Sequence, residues 1–344
     1  MSKHAKETDR LRKIVESFPN VTVAVIGDMV ADEFVFGEIS RVSREAPVLI
    51  LRHRERTVVP GGGANAVNNL ADLRTTVLPV GVVGDDEAGR LLLKNFRQRR
   101  IPVSGVLKDR SYTTVTKTRI LAGMAHTWRQ QVVRLDREPD AEPNAHLRLE
   151  LVLAAREYAR AADVLLVSDY GYGAATPAIL TAIRQKGRLD RVPVVLDSRY
   201  RMLEYSGITA ATPNEPEVEA ALGVRIGPEW SRVCAAGGRI MSRMKLQSLV
   251  ITRGRDGMVA FSGKQKPVDI PIFGSDQVAD VTGAGDTVIA TFAAALGAGA
   301  TTEEAAHLAN YAGGIVVMKR GTATVSQQEL LQAVSSSPPV TRPH

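Results

Sequence analysis

Residues 280–287 read Asp280-Val281-Thr282-Gly283-Ala284-Gly285-Asp286-Thr287 and run directly into the apolar stretch Val288–Leu296. Gly283, Ala284 and Gly285 leave the backbone nearly bare where a helix begins. A helix start presents N–H groups without acceptors and the positive end of the macrodipole, so it holds anions well. Asp286 adds a carboxylate in the same turn. An anion cradle with a base beside it meets the needs of phosphoryl transfer to a hydroxyl. A Gly-rich loop ahead of a core helix is the plainer reading of the same residues.

Outward from this turn, short apolar runs rich in β-branched residues alternate with helical spacings. Strands are predicted at Val21–Gly27, Thr76–Val83, Ala162–Ser168, Val192–Leu196 and Ser248–Thr252. Helices are predicted at Asn65–Leu73, Glu87–Arg99, Thr176–Lys186, Glu215–Leu222, Trp230–Lys245, Thr287–Gly297 and Thr302–Val317. This alternation predicts an α/β fold with a mostly parallel sheet covered on both faces. Ligands of such sheets bind beyond the carboxyl ends of the strands. Segments 34–59 and 106–134 break the alternation with Val, Thr and Ile among charges, and read as a small β lid or as surface hairpins. Residues 1–19 are expected to form an N-terminal extension, and the Ser/Pro-rich 336–344 a disordered tail.

The 44% hydrophobic content of the 344 residues supplies a sizeable core, and the single cysteine, Cys234, excludes an intrachain disulfide and a Cys-rich zinc site. That suits a reducing compartment. No apolar run is long enough to span a bilayer, and Met1–Lys13 has no apolar signal core. A soluble cytoplasmic protein with no membrane partner is expected. The net charge of +7 is spread among acids, as in Arg52-His53-Arg54-Glu55-Arg56, and aromatics are only 5% of residues. Base-stacking platforms are therefore scarce, nucleic acid is not the expected partner, and small anionic substrates suit the excess charge better.

Four further segments carry candidate chemistry. Gly61-Gly62-Gly63-Ala64-Asn65 permits close backbone approach to a ligand, or makes a tight turn with an N-cap. Gly27-Asp28-Met29-Val30-Ala31-Asp32 places a carboxylate just past the first strand, an acceptor for sugar hydroxyls or an exposed loop Asp. Asn214-Glu215-Pro216-Glu217 reads as a capped helix start, or as a contact to hydrated Mg²⁺ and phosphate. Thr252-Arg253-Gly254-Arg255-Asp256-Gly257 is a nucleotide cradle or a hairpin turn.

The order Gly27…Asp32, Gly61–Asn65, Asn214-x-x-Glu217, Thr252-x-Gly254 and Asp280–Thr287 resembles the ribokinase/PfkB carbohydrate kinases from about residue 20 to 335. Further stretches resemble the heptose-7-phosphate kinase branch of that family: Ser40–Pro47, Val133–Asp136, Ser168-Asp169-Tyr170, Asp280–Ala290 and Lys319–Ser326. The resemblance implies a ribokinase-like three-layer sandwich with a small β lid and a homodimer joined through the lid. It implies ATP and Mg²⁺ as cofactors and leaves monovalent-cation activation open. Asp286 would be the base that takes the acceptor proton, and the N–H groups of Gly283, Ala284 and Gly285 the anion hole. Asn214 and Glu217 would organise Mg²⁺, through water, and the ATP phosphates, while Thr252, Gly254, Gly257 and Asn310 would line the nucleotide site. Asp32, Gly62, Gly63 and Asn65 would hold the sugar, and Lys117 and Arg134 would meet a phosphate on it.

The implied reaction converts D-glycero-β-D-manno-heptose 7-phosphate to the 1,7-bisphosphate. The sequence departs from that branch at two places. Gly171-Tyr172-Gly173 stands where the branch has Ala-Lys-Gly, and Asp197-Ser198-Arg199 where it has Asp-Pro-Lys. Tyrosine cannot replace lysine as a phosphate contact, so fructose-, ribose- or nucleoside-type kinases stay in play, as does a non-catalytic nucleotide- or sugar-binding protein. Bifunctional relatives add a nucleotidyltransferase domain. None is expected after residue 335, so a separate protein would supply that step.

Overall fold

The computed structural model describes residues 3–123, 129–185, 192–274, 280–319 and 321–336. Residues 124–128 of the expected lid, Lys186 of an expected helix and 337–344 of the expected tail lie outside them. The chain enters through helix α1 (Lys3–Glu16), where Leu11, Ile14 and Val15 are buried and Phe18 continues the same i, i+3, i+4, i+7 face. The expected N-terminal extension is therefore part of the domain: its apolar stripe docks on the main hydrophobic cluster.

Strand β1 (Thr22–Gly27) passes through Asp28 into β2 (Met29–Val42), which pairs with β3 (Leu49–Gly62). Then come α2 (Gly63–Asp72), β4 (Thr76–Gly84), α3 (Glu87–Gln98), β5 (Val106–Asp109), β6 (Thr116–Gly123), β7 (Gln130–Arg137) and α4 (Ala145–Ala161). The second half runs β8 (Val164–Asp169), α5 (Pro177–Gln185), β9 (Val194–Ser198), β10 (Ala210–Ala211), α6 (Glu215–Leu222), α7 (Trp230–Met244) and β11 (Ser248–Thr252). It ends with β12 (Met258–Ser262), β13 (Val268–Ile270), α8 (Ala284–Gly297), α9 (Thr302–Val316) and α10 (Gln327–Ser336).

Nine strands form one sheet in the order β13-β12-β11-β10-β9-β8-β1-β4-β5, parallel except that β12 runs against both of its neighbours. Side chains alternate across it, as the two-residue period of a strand requires. In β1, Val23 and Val25 join the core beneath α1, α2, α3, α8, α9 and α10, while Ala24 and Ile26 join the core beneath α4, α5, α6 and α7. β8 does the same, with Val164 and Leu166 on one side and Leu165 and Val167 on the other. The result is the three-layer α/β sandwich.

A separate four-stranded sheet, ordered β3-β2-β6-β7, stands beside it as the lid. The lid differs from the segments read in the sequence. Val106–Asp109 belongs to the main sheet, where β5 pairs with β4 at Gly81–Gly84. A strand of four residues carries too little periodicity to tell an edge from a lid. The lid starts earlier than position 34, because β2 continues β1 with only Asp28 between them.

Candidate active site

Four carboxyl ends of parallel strands open on the same rim: Gly27 of β1, Asp169 of β8, Ser198 of β9 and Thr252 of β11. Helix α8 begins there as well. Its first residue is Ala284, three positions before the predicted Thr287, so Asp286 lies inside the first turn. Gly283 caps the helix at φ +79°, a left-handed conformation that a Cβ would strain. Of the three expected anion-hole donors, Gly283 is the cap residue that precedes the helix, and Ala284 and Gly285 lie in its first turn. The Ala284 N–H already donates to the Val281 carbonyl at 3.2 Å. The N–H groups of Gly285 and Asp286, also in the first turn, have no acceptor within the helix.

Asp286 is buried, and its carboxylate is held from both sides. The Tyr170 hydroxyl donates to Oδ1 at 2.6 Å and the Asn65 amide donates to Oδ2 at 2.9 Å. Burial pushes the Asp286 carboxyl up to about 6, while those two donors pull it back down. Asn65 comes from the first turn of α2, capped by Gly62 at φ +52°. The starts of α2 and α8 therefore meet at one carboxylate. Gly63 donates its N–H to the Asp28 carbonyl at 3.1 Å, which ties the glycine triplet to the end of β1.

Asp169, Tyr170, Asp197, Arg199, Tyr200, Thr212, Asn214, Pro216, Glu217, Ala220, Thr252 and Gly285 line a pocket of about 390 Å³ beside Asp286. Of the expected nucleotide residues, it brings together Asn214, Glu217 and Thr252. Asn214 and Glu217 form a complete capping box: Oδ1 of Asn214 accepts the Glu217 N–H at 2.8 Å and Oε2 of Glu217 accepts the Asn214 N–H at 2.9 Å. The segment is the capped helix start, and Asn214 and Glu217 also line the pocket wall. Burial raises the Glu217 carboxyl, and raises Asp197 well above its ordinary value, with Glu217 and Asp286 adding repulsion at Asp197. Gly254, Gly257 and Asn310 stand apart from this pocket. Gly254 and Gly257 flank the 3₁₀ turn between β11 and β12, and Asn310 donates to the Pro271 carbonyl at 2.8 Å.

On the lid side, Asp32 is buried but already engaged: Arg119 donates to Oδ1 at 2.6 Å and Thr322 to Oδ2 at 3.0 Å. Lys117 and Arg134 differ. Arg134 is exposed and forks onto Asp136 at 2.7 and 2.5 Å. Lys117 is 7% exposed, and its ammonium faces the rings of Tyr170 at 5.0 Å and Tyr172 at 5.8 Å. Among the described residues it forms no ion pair. Burial and then the nearby Arg199 lower its pKa.

Tyr170, Asp28 and Asp197 carry no role legible from the sequence alone. Asp28 is fully buried, and it accepts N–H groups from Tyr170 at 2.8 Å, Tyr172 at 3.0 Å and Ala174 at 2.9 Å. The signal that could have found them was their position, since Asp169-Tyr170 and Asp197-Ser198 end adjacent parallel strands.

A family model described as pfkB family carbohydrate kinase matches residues 22–329. The bifunctional protein HldE of Geobacter metallireducens is 42% identical over 325 residues, covering 93% of this chain and 65% of that protein. HldE of Pelobacter propionicus is 40% identical, covering 94% of this chain and 66% of that protein. The chain thus spans about two thirds of the length of these relatives. Among solved structures, Arabidopsis thaliana ribokinase complexed with ribose and ATP superposes with TM-score 0.72 at 20% identity, covering 92% of this chain and 99% of that one. Escherichia coli phosphofructokinase-2 in complex with substrates and products gives 0.73 at 17%, covering 92% and 98%. These likenesses establish the ribokinase-like fold. Because the family model runs from β1 to the start of α10 and takes in the Asp286 turn, the chain belongs to the pfkB family of carbohydrate kinases.

Proposed function

We propose that this kinase transfers the γ-phosphoryl group of ATP to a hydroxyl of D-glycero-β-D-manno-heptose 7-phosphate, giving the 1,7-bisphosphate. The observation that carries the reading is the Asp286 carboxylate, buried in the first turn of α8 between the 390 Å³ pocket and the buried Lys117 ammonium. The acceptor oxygen attacks the γ-phosphorus, the bond to the bridging oxygen of ADP breaks, and Asp286 takes the acceptor proton. A base held near the working pH suits that task. The N–H groups of Gly285 and Asp286, which have no acceptor within the helix, would stabilise the charge that develops on the transferred group.

The oxygen-only pair Asp197 and Glu217 suits hydrated Mg²⁺. Both carboxyls are raised by burial, a cost that a bound cation relieves. When bound, Mg²⁺ supplies charge neutralisation for the ATP phosphates. Lys117 supports a substrate that already carries a phosphate, because its buried ammonium faces the Tyr170 and Tyr172 rings and makes no ion pair among the described residues. The 42% identity to a bifunctional HldE protein supports the heptose. Tyr172 and Arg199, at the two departures from the heptose branch, favour a second reading in which the acceptor is another sugar or sugar phosphate. Exposed Val42, Leu49, Val133 and Leu135 on the lid strands support a homodimer through the lid.

The test is a panel of sugars and sugar phosphates assayed with Mg²⁺-ATP, for wild type and Asp286→Asn. Heptose 7-phosphate is expected to be the best acceptor, and Asp286→Asn to lose ~10²–10⁴-fold in kcat. Turnover of fructose 6-phosphate or ribose in its place would move the reading to the second substrate class. Wild-type turnover by Asp286→Asn would remove Asp286 as base.

A further inference from the structure

Tyr170 stands where the two halves of the site meet. Its ring lines the nucleotide-side pocket and lies against the sugar-side backbone, since a Cβ on Gly62 would sit 3.3 Å from its Cδ2 and Cε2 atoms. The Lys117 ammonium lies 5.0 Å from the ring centroid. The hydroxyl reaches Asp286 Oδ1 at 2.6 Å. Nothing in this placement is loose. The Tyr170 N–H donates to buried Asp28 at 2.8 Å, and the next N–H, of Gly171, donates to Asp169 Oδ1 at 3.0 Å. Gly171 at φ +88° and Gly173 at φ +94° let the following chain curl around the Asp28 carboxylate. Asp169 is itself fixed by Ser198, Arg201 and Tyr205. Two buried carboxylates thus clamp the backbone that carries the phenol.

We propose that Tyr170 is a positioning residue for the Asp286 carboxylate, fixing its plane by a hydrogen bond to Oδ1 while Asn65 holds Oδ2. One donor on each oxygen stops rotation of the carboxylate and sets the direction of the lone pairs left for the acceptor hydroxyl. Orientation of this kind lowers a barrier without touching the substrate. The phenol is a permanent donor, because burial and then the Asp286 charge keep it protonated far above neutral pH. The inference rests on Asp286 being the base.

Tyr170→Phe tests it, since the variant keeps the ring against Gly62 and beneath Lys117 and removes only the hydroxyl. With Mg²⁺-ATP and heptose 7-phosphate, kcat is expected to fall ~10–100-fold, as for loss of one oriented polar contact. The KM for ATP should stay within about twofold, and the acid limb of the kcat/KM profile should rise by about one pH unit. A second readout needs no sugar. Because the hydroxyl stabilises the ionised Asp286, the melting-temperature loss of Tyr170→Phe should be larger at pH 8 than at pH 5. An unchanged kcat and acid limb, with a pH-independent melting difference, would leave Tyr170 a packing residue and overturn the inference. A rise in kcat/KM for the sugar would also overturn it, by making the hydroxyl an occupant that the substrate must displace. Asp286→Asn, assayed alongside, separates the two levels. If it keeps wild-type turnover, the base assignment fails and this inference fails with it. If it is inactive while Tyr170→Phe matches wild type, only the role of Tyr170 fails.

Discussion

A methyl group at Gly283 should damage both stability and catalysis, whereas the same group two residues later should damage catalysis alone. At Gly283 the backbone sits at φ +79°, and a Cβ would lie 2.6 Å from Asn65 Nδ2 and 3.1 Å from Thr322 Cγ2. The left-handed conformation costs an L-residue about 1–2 kcal/mol. The displaced Asn65 amide gives up its 2.9 Å bond to the Asp286 carboxylate, and a bond to a charged group contributes about 1.5–3 kcal/mol. Gly283→Ala should therefore lose on the order of 3 kcal/mol. With an unfolding entropy of about 2.1 cal/mol/K per residue, that lowers the melting temperature of a chain this size by ~4 °C. Its kcat should fall ~10²-fold or more, as for loss of one oriented group at the reacting centre. Gly285 has no positive φ, and its Cβ would meet nothing within 4 Å. Gly285→Ala should melt as high as wild type or slightly higher, because Ala is the better helix former by ~0.5–1 kcal/mol. Gly285 also lines the nucleotide-side pocket, so its methyl should obstruct the transferred phosphoryl group and lower kcat. Differential scanning calorimetry with steady-state assays measures both variants. Wild-type melting by Gly283→Ala, or a fall of several degrees for Gly285→Ala, would refute the geometry assigned to this turn.

The pH dependence of stability has a definite sign. The Asp286 carboxyl is raised from 3.8 to about 6 in the fold, so the folded state holds its proton more tightly and stability falls as pH rises from about 4 through 6, by ~3 kcal/mol at most. The melting temperature of Asp286→Asn should accordingly rise relative to wild type between pH 4 and pH 8; a difference that is constant with pH would show that Asp286 is not held at a raised pKa. On the lid, Leu135 is 63% exposed on β7, an edge strand of the four-stranded sheet. Leu135→Asp should convert a homodimer to a monomer in light scattering, and a monomeric wild type would remove the lid interface.

The elements that were legible in the sequence are those buried on both faces. β1, β8 and β11 are short β-branched runs ending in small or polar residues, a pattern that suits little besides a strand covered on both sides. α1 carried an equally clear stripe in Leu11, Ile14, Val15 and Phe18, but its polar composition masked it. α4 buries Leu147, Leu151, Ala155 and Ala159 at helical spacing, yet no helix was read between Asp136 and Ala162. The Asp286 turn and the Asn214–Glu217 cap were readable because each is local, with cause and consequence within a few residues. Tyr170 was not, because its hydroxyl matters only through a partner 116 positions away. Asp28 was passed over in favour of Asp32 for a similar reason. The three N–H groups that Asp28 accepts come from residues 170–174. Only the parallel pairing of β1 with β8 brings them within reach.

The charges around the site are left unbalanced in opposite senses on its two sides. Asp197, Glu217 and Asp286 all have carboxyls raised by burial, although Arg199 pulls Asp197 and Glu217 back down, while burial lowers the Lys117 pKa with Asp32 and Asp136 opposing it. Direct pairing of Lys117 with one of those carboxylates would relieve both sides, but the Asp286 carboxylate takes its two donors from Tyr170 and Asn65 instead. A fold selected only for stability would close such a gap with an ion pair or with apolar residues. A divalent cation with nucleotide phosphates on the carboxylate side, and an anionic sugar on the lysine side, would balance each half without bringing the two together. Tyr170 touches both groups: its ring lies 5.0 Å from the Lys117 ammonium and its hydroxyl donates to Asp286 Oδ1 at 2.6 Å, so the proposed phosphate contact and the proposed base share one neighbour.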